Sequence, residues 1–275
     1  MPNPRVMILR APGTNCDLET TFAFEQAGAQ AFECYVRALC EKPALLNECA
    51  ILALPGGFSY GDDLGSGTVL ANELTQTLAE PLKRFVERGG LVLGICNGFQ
   101  VLVRAGLLPG PSYAPRDQSE AGCHGILAVR PAATLTFNDS QHFEDRWICL
   151  RVEENQSPFL RGAAGQRVTF PVAHGEGKFI ARDAEVLQRL ETSKQVAFRY
   201  TSANGGAPLY PENPNGSQNN IAGITDETGR VLGLMPHPER HVLPWQHPRW
   251  TREGLKSEGD GTFVFRNAVK HAAGT

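Results

Sequence analysis

Apolar residues in the first hundred positions come in short unbroken runs rather than in alternation. RVMILR (5–10) places Val6 to Leu9 in a row, AILALP (50–55) does the same and the lead-in of LVLGI (91–95) is a shorter version, while AFECYV (31–36), divided by Glu33, is a further strand candidate. Runs of this kind, bounded by turn residues, predict strands buried on both faces, as in a parallel sheet. Helical spacing fills the gaps. The segment 17–29 starts acidic, carries Leu18, Phe22, Phe24 and Ala27, and stops at Gly28, while 73–90 reads as a second helix interrupted at Pro81. The alternation predicts a mostly parallel α/β sheet with helices on both faces.

Between about 110 and 180 the pattern changes. GILAVR (125–130), ATLTFN (133–138), RWICLRV (146–152) and RVTFPVA (167–173) are β-type runs with little helix between them, which predicts an antiparallel β extension of the main sheet. A short helix at 183–191, a strand at 195–200, a turn-rich loop at 201–220, a hairpin of 221–226 with 231–236, and a closing helix at 261–274 complete the chain. No internal repeat and no low-complexity tract occurs. The expectation is one domain over 1–275, with elaborated loops around 107–125 and 201–220 and a C-terminal extension at 241–275.

Composition narrows the function classes. The 275 residues carry a formal net charge of -3, which gives no support to a nucleic-acid or anionic-membrane partner. No apolar run approaches a membrane span, and the N-terminal residues lack the layout of a signal peptide, so a cytoplasmic protein is expected. The seven cysteines are scattered and never form C-x-x-C. Neither a disulfide framework nor a paired-cysteine metal site is expected.

One cysteine is set apart. In LVLGICNGFQVLVRAGLL (91–108) a buried strand passes through Gly94-Ile95-Cys96-Asn97-Gly98 straight into a helical pattern. That is the sequence form of a nucleophile elbow: glycines permit the turn, and the helix N-terminus favours thiolate over thiol. The N–H of Asn97 would then point where an oxyanion forms. A thiolate doing acyl transfer needs a base and an orienter. GLMPHPER (233–240) offers His237 as base, with Glu239 two residues on, where an extended backbone would direct both side chains the same way. Asn15 and Cys16 fall at the end of the first strand, near a site at the strand ends of a parallel sheet. Cys16 lacks flanking elbow glycines, and no helical run starts directly on it.

Cys96, His237 and Glu239, in that order on an α/β pattern, resemble the triad of class I glutamine amidotransferases. PGTNCD (12–17), LPGGFSYGDDLGSG (54–67), GICNGFQ (94–100), HGEGKF (174–179), YPENPNGS (210–217) and GITDETGRVLGLMPHPER (223–240) are most similar to the glutaminases that serve phosphoribosylformylglycinamidine synthase. The resemblance implies glutamine hydrolysis through a cysteine thioester, with ammonia delivered to a synthetase partner and a small accessory subunit alongside. It implies that Gly56, Gly57 and Phe58 supply a second oxyanion N–H, and that His174 lines the site or sits in a turn near a subunit interface. No G-x-x-x-x-G-K-[ST] occurs, so ATP and Mg are expected on the partner, with no cofactor or metal on this chain. Trp245 and Trp250 are open between interface anchors and packing against the domain. Two other readings remain at this stage: a free-standing cysteine hydrolase of the related elbow-bearing group, and a non-catalytic regulatory subunit.

Overall fold

The four leading strand candidates are parallel strands; three are buried as their unbroken apolar runs predict, while the second, divided by Glu33, lies at the sheet edge with only Cys34 buried. In the computed structural model, which describes residues 3–113 and 131–274, they are β1 (Arg5–Arg10), β2 (Gln30–Tyr35), β3 (Ile51–Leu54) and β4 (Leu91–Ile95). They pair in the order β2–β1–β3–β4, and β11 (Val231–Leu234) joins in parallel beside β4. Beyond β11 the same sheet continues antiparallel through β10 (Ile221–Thr225), β9 (Val196–Tyr200), β6 (Glu144–Val152) and β7 (Arg167–His174). All residues of β3, β4, β10 and β11 are buried, so the core runs along the middle of this nine-stranded sheet.

Two expectations are corrected. The ATLTFN run does not extend the main sheet. Its β5 (Ala133–Thr136) pairs instead with the unanticipated β8 (Lys178–Ala181) in a separate two-stranded sheet. β8 has only four residues with alternating burial, too short a pattern to stand out. The GILAVR run lies outside the described residues. Pro81, in turn, does not interrupt its helix.

That helix, α3 (Thr68–Glu87), follows α1 (Asp17–Gln26) and α2 (Val36–Glu41) and passes unbroken through Pro81. A proline inside a helix costs about 3 kcal/mol in lost hydrogen bonding and crowding. Here Leu70, Leu74, Leu78, Leu82 and Phe85 bury as one stripe spanning the proline, and that packing outweighs the local cost. The remaining helices are α4 (Asn97–Arg104), α5 (Ala184–Thr192), the single turn α6 (Trp250–Glu253) and α7 (Thr262–Ala272). α1 packs on α7, with Phe24 edge-on to Phe265 at 5.0 Å, while α3 packs on α4.

The topology fixes where a site can form. From β1 the chain steps outward to β2, and from β3 it steps the opposite way to β4. Right-handed crossovers put α1 and α3 on opposite faces and open a crevice beyond the strand ends, between β1 and β3. Residues Asn15 and Cys16 follow β1, Gly56 to Phe58 follow β3, and Cys96 follows β4. His237 follows β11.

Candidate active site

Cys96 has φ 52° and ψ −106° and caps α4 from outside. A non-glycine residue there is strained by about 1–3 kcal/mol, and such strain persists where the surroundings over-determine it. Here its N–H donates to the Leu234 carbonyl at 2.8 Å, and its carbonyl accepts from Gln100 N–H at 3.1 Å. The elbow glycines are demanded by close approach. A Cβ on Gly98 would lie 1.9 Å from the Leu54 carbonyl oxygen, and one on Gly94 would lie 2.7 Å from the Gly98 oxygen. The Cys96 thiol faces the Ala173 carbonyl at 3.6 Å, and Asn97, first in the helix, has an N–H without an intrahelical partner.

His237 and Glu239 are both almost wholly buried, with the imidazole Nδ1–H donating to Glu239 Oε1 at 2.6 Å. Their approach differs from the extended backbone expected. Pro238–Arg240 forms a 3-10 turn, and the turn swings Glu239 back onto the ring. Burial alone would lower the His237 pKa. The Glu239 carboxylate, with the Cys96 and Cys16 thiols, overcomes this and raises it well above the ordinary value. The imidazolium is therefore the favoured partner for a thiolate. Gly56 lets the parts meet: a Cβ there would come 2.9 Å from His237 Cε1, 3.1 Å from Cys16 Sγ and 3.4 Å from Cys96 Cβ.

The glycine-rich loop is held rather than loose. Asn15 and Cys16 N–H groups both donate to the Gly56 carbonyl at 3.2 Å, and Phe58 N–H donates to the Gly13 carbonyl at 2.9 Å. This small bridge, between Thr14 and Gly57, corrects one expectation. The Phe58 N–H is already committed, whereas that of Gly57 takes no part in the bridge. Gly57 has φ 144°, and a Cβ would meet the Gly13 carbonyl oxygen at 2.6 Å, so no other residue fits. The Phe58 ring is exposed and lies tilted against Phe143, with ring centroids 6.3 Å apart.

Cys16, contrary to expectation, does immediately precede a helix, α1. Its φ of −104° makes no elbow. Its thiol donates to Asn15 Oδ1 at 3.2 Å, accepts from Arg240 Nη2 at 3.1 Å, and lies 4.0 Å from His237 Nδ1. Burial pushes its pKa up, with His237 opposing. Among the described residues Cys16, His237 and Glu239 are the only such group with metal-ligating atoms together, within 4.8 Å. The Cys16 thiol, His237 Nδ1 and Glu239 Oε1 are engaged with partners, and the Arg240 guanidinium at the Cys16 thiol opposes a further positive charge there. The Cys123 thiol lies outside the described residues.

His174 is buried with its ring packed directly under Gly177, where a Cβ would come 2.3 Å from the ring. It is not presented at the surface as an interface turn would be. Its Nδ1 meets Asn138 Oδ1 at 3.1 Å. Burial, then the charge of His237, pushes its pKa down to about 3. The unfolded histidine, near 6.5, thus binds a proton that the folded one refuses. Stability contributed by His174 is complete above about pH 6.5 and is lost as pH falls toward 3. Between pH 6.5 and 5 this amounts to about 2 kcal/mol at 1.36 kcal/mol per pH unit. Urea unfolding at pH 7 and pH 5 should therefore show the native protein losing about 2 kcal/mol more than His174→Gln. Equal losses would contradict it.

Several contributors escaped the sequence reading. Asn215, fully buried within NPNGS, donates to the Gly177 carbonyl at 2.8 Å and to Tyr200 Oη at 2.9 Å. Gln100 donates to the Glu176 carbonyl at 2.6 Å, tying α4 to the segment that covers His174. The signal for both lay in polar residues at apolar positions, Asn215 in a turn and Gln100 on a buried helix. Trp245 and Trp250 are exposed, while Trp147 packs edge-on against His241 and His247 at 5.1 Å.

A family described as CobB/CobQ-like glutamine amidotransferase domain matches residues 3–272. The phosphoribosylformylglycinamidine synthase subunit PurQ of Dehalococcoides mccartyi is 48% identical, covering 99% of each chain. A protein of the same name from Thermus thermophilus is 42% identical, over 98% of this chain and 99% of its own. Among solved structures, a chain in the PurLQS structure from Thermotoga maritima superposes with a TM-score of 0.71 at 31% identity, covering 98% and 99% of the two chains.

Proposed function

The chain belongs to the CobB/CobQ-like glutamine amidotransferase family, and from that premise we propose that it is the glutaminase subunit of phosphoribosylformylglycinamidine synthase. In this reading it hydrolyses glutamine and passes ammonia to a synthetase subunit. That subunit uses ATP to convert formylglycinamide ribonucleotide to formylglycinamidine ribonucleotide. Among the described residues no helix is long and apolar enough to cross a membrane, and a cytoplasmic setting suits a step of purine synthesis. The observation that carries the reading is a strained cysteine, Cys96, beside a buried histidine that a carboxylate holds at 2.6 Å.

The chemistry follows from that geometry. Cys96 gives its proton to His237 and attacks the side-chain amide carbon of glutamine. The oxyanion is held by the N–H groups of Asn97 and Gly57. Collapse expels ammonia, which leaves with the proton returned by His237, and a γ-glutamyl thioester remains on Cys96. Water then attacks the thioester, His237 takes its proton and returns it to the thiolate, and glutamate departs. Glu239 keeps the ring oriented and its cationic form stable.

Ammonia released with no acceptor is lost, so the synthetase is proposed to raise glutaminase activity when it docks, with a small accessory subunit completing the assembly. A tenfold activation requires only about 1.4 kcal/mol of differential binding. Glutamine hydrolysis should be at least ~10-fold slower for the isolated chain than for the chain mixed with synthetase, nucleotide and acceptor substrate. A fully active isolated chain, indifferent to all of these, would favour a free-standing hydrolase.

A further inference from the structure

The second half of the glycine-rich loop, Ser59 to Gly67, is not used by the mechanism above, yet it is built with unusual constraint. Tyr60 and Asp62 both have φ 55°, and Gly61, Gly65 and Gly67 are also left-handed. Asp62 is the hub of this turn. Its Oδ1 accepts from Gly67 N–H at 3.2 Å and from Asn97 Nδ2 at 3.1 Å, and its Oδ2 accepts from Ser66 Oγ at 3.1 Å. Asn97 in turn accepts from Ser59 N–H through Oδ1 at 3.2 Å. A backbone N–H can only donate and a carboxylate can only accept, so the Asn97 amide has a single orientation. The far end of the loop is pinned as well, since Arg104 Nε of α4 donates to the Ser66 carbonyl at 2.7 Å.

We propose that Asp62 is a positioning residue for glutamine hydrolysis: through the Asn97 side chain it fixes the separation of the two N–H groups that receive the oxyanion. One of those groups is Asn97's own, and the other, from Gly57, lies two residues before the Ser59 N–H that Asn97 grips. The inference rests on the reading of Cys96 as a glutaminase nucleophile. Left-handed backbone at Asp62 is itself consistent with the assignment. Asp and Asn tolerate that conformation because their short side chains bond locally, and this carboxylate bonds on both sides of the turn.

The test uses the complex with the synthetase, comparing native chain, Asp62→Ala and Asp62→Asn. Asp62→Ala should lower kcat for glutamine at least ~10-fold with KM changed less than ~3-fold, since the donors act on the transition state. Asp62→Asn keeps the backbone preference and one acceptor, and should recover part of the loss. Alkylation of Cys96 by iodoacetamide forms no oxyanion and should keep its native rate in both variants. Synthesis from added ammonium should also be native. An unchanged kcat in Asp62→Ala overturns the proposal, as does an Asp62→Asn no better than Asp62→Ala. Equal loss of alkylation and turnover also overturns it, because the elbow itself would then have moved. If the native complex showed no glutamine turnover, the parent reading would fail instead.

Discussion

Replacing Cys96 by alanine is expected to abolish glutamine-dependent synthesis while leaving ammonium-dependent synthesis intact. Loss of the nucleophile removes the covalent route, and at least ~1,000-fold in glutamine turnover should go with it. The fold should survive, because the thiol's contacts, with the Ala173 carbonyl at 3.6 Å and with the His237 imidazole, are catalytic or weak. Alanine does inherit the positive φ, so a modest stability change is expected at an already strained position. Mass spectrometry after treatment with an electrophilic glutamine analogue should find the label on Cys96 in the native protein and none in the variant. Cys16 is the informative control. It lies beside the same imidazole but is buried, with its pKa raised and its thiol held between Asn15 and Arg240. Label moving to Cys16, or retained glutamine turnover, would sink the assignment. Equal loss with glutamine and ammonium would mean that the residue holds the complex together.

The strands and the elbow were legible because their causes are local. Unbroken apolar runs mark buried parallel strands, and Gly94 and Gly98 around Cys96 mark a backbone that passes close to others. His237 and Glu239 were legible as a pair because only two positions separate them, although a 3-10 turn joins them rather than an extended backbone. What escaped was non-local. The Asn97–Asp62 bond spans 35 positions and the Arg240–Cys16 contact 224, and no periodicity encodes either. Phe58 was misjudged for a similar reason. Its N–H is taken by Gly13, a residue on another strand end that comes close only once β1 and β3 are paired. Pro81 breaks the helical pattern only locally, and the apolar stripe of α3 that spans it overrides that cost.

Gly98→Ala is expected to damage stability and catalysis together, through one contact. The added Cβ would sit 1.9 Å from the Leu54 carbonyl oxygen, 2.8 Å from its carbon and 2.9 Å from its Cβ. Leu54 is the last residue of β3, buried and paired with β4, so the strand cannot yield without breaking the sheet's centre. Overpacking in such a place costs about 1–3 kcal/mol, and more where backbone rather than a side-chain tip must move. Gly94→Ala should be milder. Its nearest obstacle is Leu102 Cδ1 at 2.5 Å, the end of a side chain that can turn, with the Gly98 oxygen behind it at 2.7 Å. The consequence for activity follows from the chain order. Gly56 and Gly57 come directly after Leu54 and Pro55, so any retreat of the β3 end carries the Gly57 N–H away from the elbow. Urea unfolding and glutamine turnover of Gly98→Ala should therefore both fall, beside Gly175→Ala as a control whose Cβ meets nothing within 4 Å. Native stability with lost turnover would place the glycine's role in catalysis alone. Native values for both would mean that the close approach of α4 to β3 does not hold the site together.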